Sequence, residues 1–267
     1  MYVKKKSDII QTMFLAKVEK YISDNQLIDQ HAVVIVGFSG GADSVALLDV
    51  LVQLGYRCIA AHCNFHLRGD ESDADAAFTK KWCENNEITY TSADFNTIRY
   101  ASDHKISIEM AARDLRYNWF EIIRKQYDAD AIAVGHHQDD SVETILLNLT
   151  RGTGISGLRG ILPKNDKVVR PLLCAGRDEI ENYLQSKNIP FRTDSTNEQD
   201  IYRRNFLRLH ILPALQTINP AVREALLRTA ANMAEVEKVY RAAIDSDIEK
   251  VVENRQINIE QLQKTIS

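Results

Sequence analysis

Short apolar runs alternate with amphipathic stretches along the first 150 residues of the chain. The run at 32–38 is apolar throughout, which is typical of a strand covered on both faces. Further strands are predicted at 58–62, 88–92 and 129–134, and helices at 8–23, 45–54, 72–85, 107–127 and 139–149. This alternation favours an α/β fold, a doubly wound and mostly parallel sheet with helices on both faces. Ser72 or Asp73 is predicted to cap the helix at 72–85.

The pattern changes after Thr150. Residues 151–160 hold four glycines, which predicts a loop whose backbone approaches another group closely. An extended piece at 167–171 and a helix at 177–187 follow, and the chain beyond Arg203 is predicted to be almost wholly helical. We place a domain boundary at Pro213. Residues 1–212 are predicted to form one α/β domain, and 213–267 a smaller helical appendage, interpreted as the start of a further C-terminal domain.

Composition narrows the class of protein. The chain of 267 residues is 45% apolar and 26% charged, as ordinary globular proteins are. Its four cysteines form no CxxC pair and no signal peptide precedes them, which predicts a cytoplasmic protein. No apolar run approaches the roughly 18 residues of a membrane span, so no membrane partner is expected.

Charge is distributed unevenly along the chain. The net charge of −4 does not indicate a nucleic-acid partner by itself. Basic residues nevertheless predominate in two stretches, 151–177 and 202–228. Two cationic stretches in an acidic chain favour local contacts with phosphates, and a solvated helix face is the alternative interpretation.

The first predicted strand leads through a glycine-rich turn directly into a helix. Glycines at such a turn let backbone N–H groups converge on an anion at the helix N-terminus. No lysine follows the glycines, so the turn is not a Walker A loop, and its glycine spacing is not the dinucleotide fingerprint. A turn needed only for tight packing is the alternative. The candidate phosphate-binding residues are Ser39, Gly40, Gly41, Ala42, Asp43 and Ser44, with Asp43 able to hold Mg²⁺.

The segment Ser39-Gly40-Gly41-Ala42-Asp43-Ser44 resembles the SGGxDS PP-loop of the N-type ATP pyrophosphatases. The resemblance implies that these residues bind ATP, and that a substrate oxygen is adenylated as pyrophosphate leaves. Further segments resemble the tRNA(Ile)-lysidine synthetase family, in the same order, over about residues 32–213. They are 62–69, 107–117, 135–144, 151–154, 170–173, 194–197 and 203–208. One departure is Phe65, where many members carry a second histidine.

The resemblance implies a ligase that modifies a tRNA. In this family ATP adenylates O2 of the wobble cytidine in an isoleucine tRNA with a CAU anticodon, and the ε-amine of L-lysine attacks C2 and expels AMP. The implied cofactors are ATP and Mg²⁺, and the implied partners are L-lysine and tRNA-Ile. The sequence leaves the oligomeric state open, a homodimer included.

This chemistry needs a neutral amine. Free lysine has a pKa near 10.4, so a neutral amine at pH 7 costs about 4.6 kcal/mol, which desolvation or a nearby base must offset. His136 and Asp140 lie where a strand ends and the next helix begins, the usual ligand position in doubly wound sheets. They are the catalytic candidates, with Glu143 as a second lysine-binding carboxylate. A buried structural role for His136 and helix capping by Asp139 or Asp140 are the alternatives.

Arginines complete the predicted site. In the family pattern an arginine of the helix at 107–127 contacts the nucleotide phosphate, and the sequence leaves open whether Arg113 or Arg116 does so; a salt-bridge ladder with Glu109 is the alternative. The segment 151–160 would suit a mobile cover over the flipped cytidine or the lysine. The residues predicted to contact phosphate or tRNA are Arg151, Arg204 and Arg208. Weaker catalytic candidates are Asn64 and His66. Asp194 and Asn197 are predicted to stabilise the loop that holds them.

Two other functions compete with this one. A PP-loop tRNA thiolase needs sulfur delivery, usually through paired cysteines, whereas the cysteines here are scattered and only Cys63 lies near a strand end of the site. A non-catalytic ATP-binding module would leave the acidic motif at 139–143 and both basic stretches unexplained. Pyrophosphate release distinguishes the second alternative from an enzyme.

Overall fold

The computed structural model describes residues 6–192, 202–253 and 256–257. Asp194 and Asn197 therefore lie outside the described residues. The chain divides into two compact units, Met1–Asp140 with Leu162–Glu198 and Ser141–Ile161 with Gln199–Ser267. We call them the sheet unit and the helical unit. Within the described residues, no helix is both long enough and apolar enough to span a bilayer.

The elements follow in chain order. The α-helices are α1 (Lys6–Asp24), α2 (Ala42–Gln53), α3 (Asp70–Asn85), α4 (Thr97–His104), α5 (Ile108–Gln126), α6 (Gln138–Arg151), α7 (Ile155–Leu158), α8 (Arg177–Ser186), α9 (Tyr202–Phe206), α10 (Leu212–Ile218) and α11 (Val222–Val251). The strands are β1 (Val33–Gly37), β2 (Arg57–Asn64), β3 (Thr89–Asp94), β4 (Ala131–Ala133), β5 (Lys164–Asn165), β6 (Val168–Val169), β7 (Val252–Glu253) and β8 (Gln256–Ile257). A 3₁₀ turn spans Pro171–Cys174, and a π-helical turn at Leu207–Ile211 joins α9 to α10.

Six strands form the main sheet in the order β3-β2-β1-β4-β6-β5. All neighbours are parallel except β5, which pairs antiparallel with β6. Because β1 lies between β2 and β4, the strand order reverses beside it, and doubly wound sheets bind ligands at the carboxyl ends of such strands. The predicted doubly wound, mostly parallel sheet is confirmed.

Both faces of the sheet are covered. Along β1, Val34 and Val36 pack into one core with Leu47 and Leu48 of α2, whereas Ile35 packs into a second core on the opposite face. The other face is covered by α5, whose Phe120 belongs to that second core. A strand enclosed in this way has no solvated face, which explains why its sequence is apolar at every position.

The structure differs from the prediction at two helices. The helix α3 begins at Asp70 after Gly69, so neither Ser72 nor Asp73 is its N-cap. The segment 97–104 forms α4, which was not predicted. Only Thr97 and Ala101 of this helix are buried, so its sequence lacks a long apolar stripe.

The helical unit has its own small core. Val142 and Leu146 of α6 pack there with Leu207 and Leu212. Pro213 is the second residue of α10 and directly follows the π-helical turn, in which the Leu212 N–H donates to the Leu207 carbonyl; because proline has no N–H, it cannot continue this hydrogen-bond pattern. The boundary between residues 212 and 213 stays a prediction.

The glycine-rich segment 151–160 contains the short helix α7, which α11 holds through Glu237. The Glu237 side chain is buried and accepts hydrogen bonds from Ser156 at 2.6 Å and from Arg159. Arg241 of α11 donates to the same carboxylate at 3.0 Å. The central part of the segment that was predicted to be a mobile cover is therefore held to α11 by hydrogen bonds in this structure.

We expect Gly160→Ala to destabilise the helical unit. Gly160 has φ of +69°, and a Cβ there would lie 2.4 Å from Ser141 Oγ, which accepts a hydrogen bond from Ile161 N–H at 3.1 Å. Left-handed strain plus displacement of this hydroxyl should cost about 1–3 kcal/mol, measured by denaturant unfolding. Gly154→Ala is the matched control, because Gly154 has φ of −82° and open space around it. Equal stability of the two variants would contradict the expectation.

Candidate active site

The turn between β1 and α2 is organised around the Ser44 hydroxyl. Ser44 Oγ accepts hydrogen bonds from the N–H groups of Ser39 (3.2 Å) and Gly40 (3.1 Å) and donates one to the Gly41 carbonyl (2.9 Å). Gly40 adopts φ of +87°, which a residue with a side chain rarely accepts. The backbone therefore curls so that the N–H groups of Ser39 and Gly40 converge on one acceptor, as in anion-binding nests, and in this structure that acceptor is Ser44 Oγ.

The N-terminus of α2 opens at this turn. Gly41 is its N-cap and supplies no side-chain hydrogen bond, so within the described part of the chain the first N–H groups of the helix are left without a capping side chain. These groups carry the positive end of the helix dipole, which favours a phosphate. Of the six predicted loop residues, Ser39, Gly41, Asp43 and Ser44 line an open cleft of about 270 Å³.

Arg192 holds the other side of this turn. Its N–H donates to the Gly40 carbonyl at 2.9 Å, and Gly41 and Arg192 form an isolated parallel bridge. The Arg192 guanidinium in turn donates to Asp75 at 2.8 Å, and Asp75 also accepts a hydrogen bond from Arg68. The buried Asp75 carboxylate of α3 therefore holds Arg192 in place, and Arg192 in turn holds the turn between β1 and α2.

Asp43 lies in the first turn of α2 beside several charged groups. Its Oδ2 accepts a hydrogen bond from Arg177 Nη1 at 2.8 Å, and His137 Nε2 lies 3.8 Å from Oδ1. Burial raises the pKa of the Asp43 carboxyl, while His137 and Arg177 counteract this rise. Asp140 and Glu181 add to the rise through their negative charge.

The residues present fit a magnesium ion bound together with phosphates. Asp43 Oδ1 is buried and has no hydrogen-bond partner among the described residues. The described part of the chain contains no cluster of three His, Cys, Asp or Glu side chains suited to a metal. Mg²⁺ is commonly held by one or two carboxylates plus substrate phosphates, so a single acidic residue beside a phosphate-binding loop suffices.

Two neighbouring carboxylates of α6 cap helices. Asp140 Oδ2 accepts the His137 N–H at 3.0 Å at the start of its own helix. Asp139 Oδ2 accepts the Arg177 N–H at 2.9 Å and so caps α8. Capping was expected for one of the two, and both do it. Asp140 remains partly exposed, whereas Asp139 is buried.

The cleft brings together three of the predicted elements of the site. Arg116 of α5 and His136, which follows β4, line it together with the loop that carries Asp43. Its remaining wall is largely apolar and aromatic, with Phe65, Tyr117 and Phe120 among the lining residues. The combination of a polar phosphate end and an aromatic wall suits a nucleotide.

Arg113 is placed differently from Arg116. Arg113 is exposed and lies over the Tyr117 ring, 4.7 Å from its centroid, and it is not among the residues that line the cleft. Arg116 is half-buried, and its guanidinium lies 5.2 Å from the centroid of the Phe65 ring. The geometry therefore favours Arg116 as the arginine that meets a nucleotide phosphate.

The end of β2 does not carry its weaker candidates into the cleft. Asn64 donates to Asp73 at 3.2 Å, and His66 Nε2 lies 2.9 Å from Asp94 Oδ1. Phe65 instead lines the cleft, and its ring stacks on Phe95 at 5.6 Å. The aromatic residue at the family's second histidine position thus builds a wall beneath Arg116.

Four predicted contacts belong to the helical unit. Glu143 is buried, and Arg208 donates two hydrogen bonds to its Oε1, at 2.9 Å and 2.7 Å. Arg151 at the end of α6 and Arg204 of α9 are exposed. Arg208 is therefore paired with a protein carboxylate in this structure.

Sequence reasoning missed Arg177 and Arg192. Arg177 was counted only as one basic residue of the stretch 151–177, and no local signal pointed to its pairing with Asp43, 134 positions earlier. Arg192 follows a helix in a segment without a recognisable motif. Both residues act through long-range packing, so only the fold reveals them.

The fold and this site define a class of protein: a doubly wound α/β domain that receives phosphates at the turn after its first strand. A family model described as a PP-loop domain matches residues 10–215. The chain belongs to the PP-loop family.

Curated relatives agree with the resemblance found in the motifs. The chain is 50% identical over 250 residues to a protein named tRNA(Ile)-lysidine synthase from Bacteroides thetaiotaomicron, covering 94% of this chain and 59% of the relative. A protein of the same name from Bacillus cereus is 34% identical over 247 residues, covering 90% and 52%. The chain thus spans about half the length of the curated relatives it matches.

A solved structure shares the fold. A U34-tRNA thiolase from Methanococcus maripaludis, determined with its 4Fe-4S cluster, superposes with a TM-score of 0.69. It is 19% identical, and the match covers 86% of this chain and 80% of that one. This likeness concerns the fold alone.

Proposed function

We propose that this chain catalyses the ATP-dependent ligation of L-lysine to C2 of the wobble cytidine in tRNA-Ile with a CAU anticodon. The observation that carries the proposal is its 50% identity to proteins named tRNA(Ile)-lysidine synthase. The cleft lined by Asp43, Arg116 and His136 is consistent with that chemistry. Proposed cofactors are ATP and Mg²⁺, and cytoplasmic location and a homodimer stay predictions.

The first step is adenylation of the cytidine. The first N–H groups of α2 bind the pyrophosphate part of ATP, and Arg116 neutralises charge on the phosphate under attack. Mg²⁺ held by Asp43 would supply further charge neutralisation on the phosphates. Cytidine O2 attacks the α-phosphorus, the bond from that phosphorus to the bridging oxygen breaks, and pyrophosphate leaves.

The second step joins lysine to the activated base. The ε-amine attacks C2, the bond from C2 to the AMP oxygen breaks, and the amine gives up a proton. His136, half-buried in the cleft, is the proposed base, and Asp140 is the proposed carboxylate that binds and orients the amine. Glu143 stays a proposal as a second lysine-binding carboxylate.

Phosphates of the tRNA require cationic groups outside the cleft. Arg151 and Arg204 are exposed and suit contacts with the tRNA backbone. Arg208 is proposed to join them when a phosphate draws it from Glu143. An anticodon loop already presents unstacked bases, so exposing the cytidine costs little.

The thiolase alternative has weaker chemical support. Burial raises the pKa of Cys58, Cys63 and Cys83 to about 12 and that of Cys174 to about 11. Thiols with such pKa values are protonated at neutral pH and poorly suited to carrying sulfur. Cys63→Ala should therefore leave lysine incorporation unchanged, whereas a thiolase that carries sulfur on this cysteine would lose its activity.

Pyrophosphate release tests whether the chain is an enzyme. The protein is incubated with Mg-ATP, with or without a tRNA-Ile transcript that carries CAU. We expect release that depends on the transcript and does not need lysine, because adenylation comes first. An elongator methionine tRNA, which shares the anticodon, is the control. Nucleotide binding without tRNA-dependent release would favour the non-catalytic module.

We expect Asp140→Asn to raise the KM for lysine by about ten- to a hundredfold, through loss of the charge that binds the amine. Asparagine retains an oxygen that can accept the His137 N–H, so the melting temperature should change little. The measurement is labelled-lysine incorporation against lysine concentration. Asp139→Asn is the matched control on the same turn. An unchanged KM in Asp140→Asn would remove Asp140 from the lysine site.

A further inference from the structure

We propose that Arg177 is the internal counter-ion of Asp43, which neutralises this carboxylate before nucleotide arrives and competes with Mg²⁺ for it. The proposal rests on the proposed function only in taking Asp43 as the metal-binding residue. It makes Arg177 a positioning residue: free metal is disfavoured, and metal that arrives with phosphates is accepted.

Arg177 is fixed at both its main chain and its side chain. Its N–H donates to Asp139 at 2.9 Å, its Nη1 donates to Asp43 at 2.8 Å, and its Nε donates to Glu181 at 2.6 Å. It is the first residue of α8, so the direction of its side chain depends on where that helix lies.

The helix α8 is in turn locked onto α2. Asp49 of α2 accepts hydrogen bonds from Lys187 Nζ at 2.7 Å and 2.6 Å and from the Tyr183 hydroxyl. Tyr183 is buried in the core, where Phe14 stacks on it. Two ion pairs at opposite ends of α8 thus set the distance from Arg177 to the loop: Asp43 with Arg177 at its start, and Asp49 with Lys187 directly after its last residue.

Charge explains the consequence for a metal. Asp140 and Glu181 both act electrostatically on Asp43, so without Arg177 the site would attract a divalent cation strongly. The Arg177 guanidinium occupies Oδ2 and repels such a cation. Triphosphate oxygens are good alternative partners for a guanidinium, so a nucleotide can release Asp43 to its metal.

The test measures binding of Mn²⁺ alone, by electron paramagnetic resonance without nucleotide. Removing one positive charge a few ångströms away should tighten Mn²⁺ binding about tenfold in Arg177→Gln. Arg177→Lys retains the charge and should bind Mn²⁺ as the unchanged protein does. The double variant Arg177→Gln with Asp43→Asn should lose the gain.

A second variant has the opposite expected sign. Glu181→Gln removes a negative charge, and the Arg177 guanidinium then has Asp43 as its remaining charged partner in this group. Mn²⁺ binding should therefore weaken. This variant answers the question even when Arg177→Gln does not fold. Unchanged or weaker Mn²⁺ binding by folded Arg177→Gln, or tighter binding by Glu181→Gln, would overturn the proposal. Failure of lysine incorporation by the unchanged protein would instead count against the proposed function, because the Mn²⁺ measurement uses neither tRNA nor lysine.

Discussion

Asp43→Asn is expected to reduce tRNA-dependent pyrophosphate release by about 10²–10³-fold, the usual scale for loss of a group that stabilises transition-state charge. Asparagine keeps the size of the side chain and removes the charge that would hold Mg²⁺. It also weakens the partnership with Arg177, which now donates to the carboxylate at 2.8 Å. The measurement is pyrophosphate release at saturating Mg-ATP, with far-ultraviolet circular dichroism to establish folding.

Asp49→Asn is the matched control for this variant. Asp49 lies on the same helix, and its carboxylate is paired with Lys187 and Tyr183 instead of lining the cleft. Its replacement should cost about 1–3 kcal/mol of stability, because it leaves a partly buried ammonium without its partner. Folded Asp49→Asn should still turn over. Equal catalytic losses in both folded variants would mean that Asp43 acts only through the structure of α2.

Arg116→Ala is expected to lower kcat/KM for ATP by about a hundredfold, because a charge-assisted contact with phosphate is lost. Arg116 lines the cleft and lies over Phe65, so truncation also opens the wall on which the nucleotide rests. Arg116→Lys should recover only part of the activity, since a single ammonium does not reproduce the planar fork of a guanidinium. The measurement is pyrophosphate release against ATP concentration.

Arg113→Ala provides the comparison that the sequence left open. Arg113 lies three residues before Arg116 on α5, is exposed, and stacks over Tyr117. Arg113→Ala should lower kcat/KM by a factor at least ten times smaller than Arg116→Ala does. The reason is that the Arg113 guanidinium can reach a phosphate only by leaving the Tyr117 ring. A larger effect in Arg113→Ala than in Arg116→Ala would exchange the roles assigned to the two residues.

Local patterns predicted the elements that carry the phosphate loop. The strand at 33–37 is enclosed on both faces and the loop residues are contiguous, so apolar continuity and a short motif sufficed. Helix α4 escaped prediction because it buries only two side chains. The helix is also only eight residues long, shorter than the window over which helical spacing can be distinguished from a polar loop.

Long-range pairing limited what could be predicted of the site. Arg113 and Arg116 differ by less than one helical turn, and only the position of α5 against the end of β2 decides which of them reaches the cleft. Arg177 meets Asp43 because α8 packs on α2, a contact between segments far apart in the chain. No spacing within either segment encodes that contact.

The most direct measurement is nucleoside analysis by mass spectrometry of a tRNA-Ile transcript with the CAU anticodon, after incubation with the protein, Mg-ATP and isotopically labelled L-lysine. The proposed function predicts lysidine that carries the label at the wobble position, and none in the elongator methionine tRNA. Pyrophosphate released without labelled nucleoside, or label incorporated equally into both tRNAs, would contradict it.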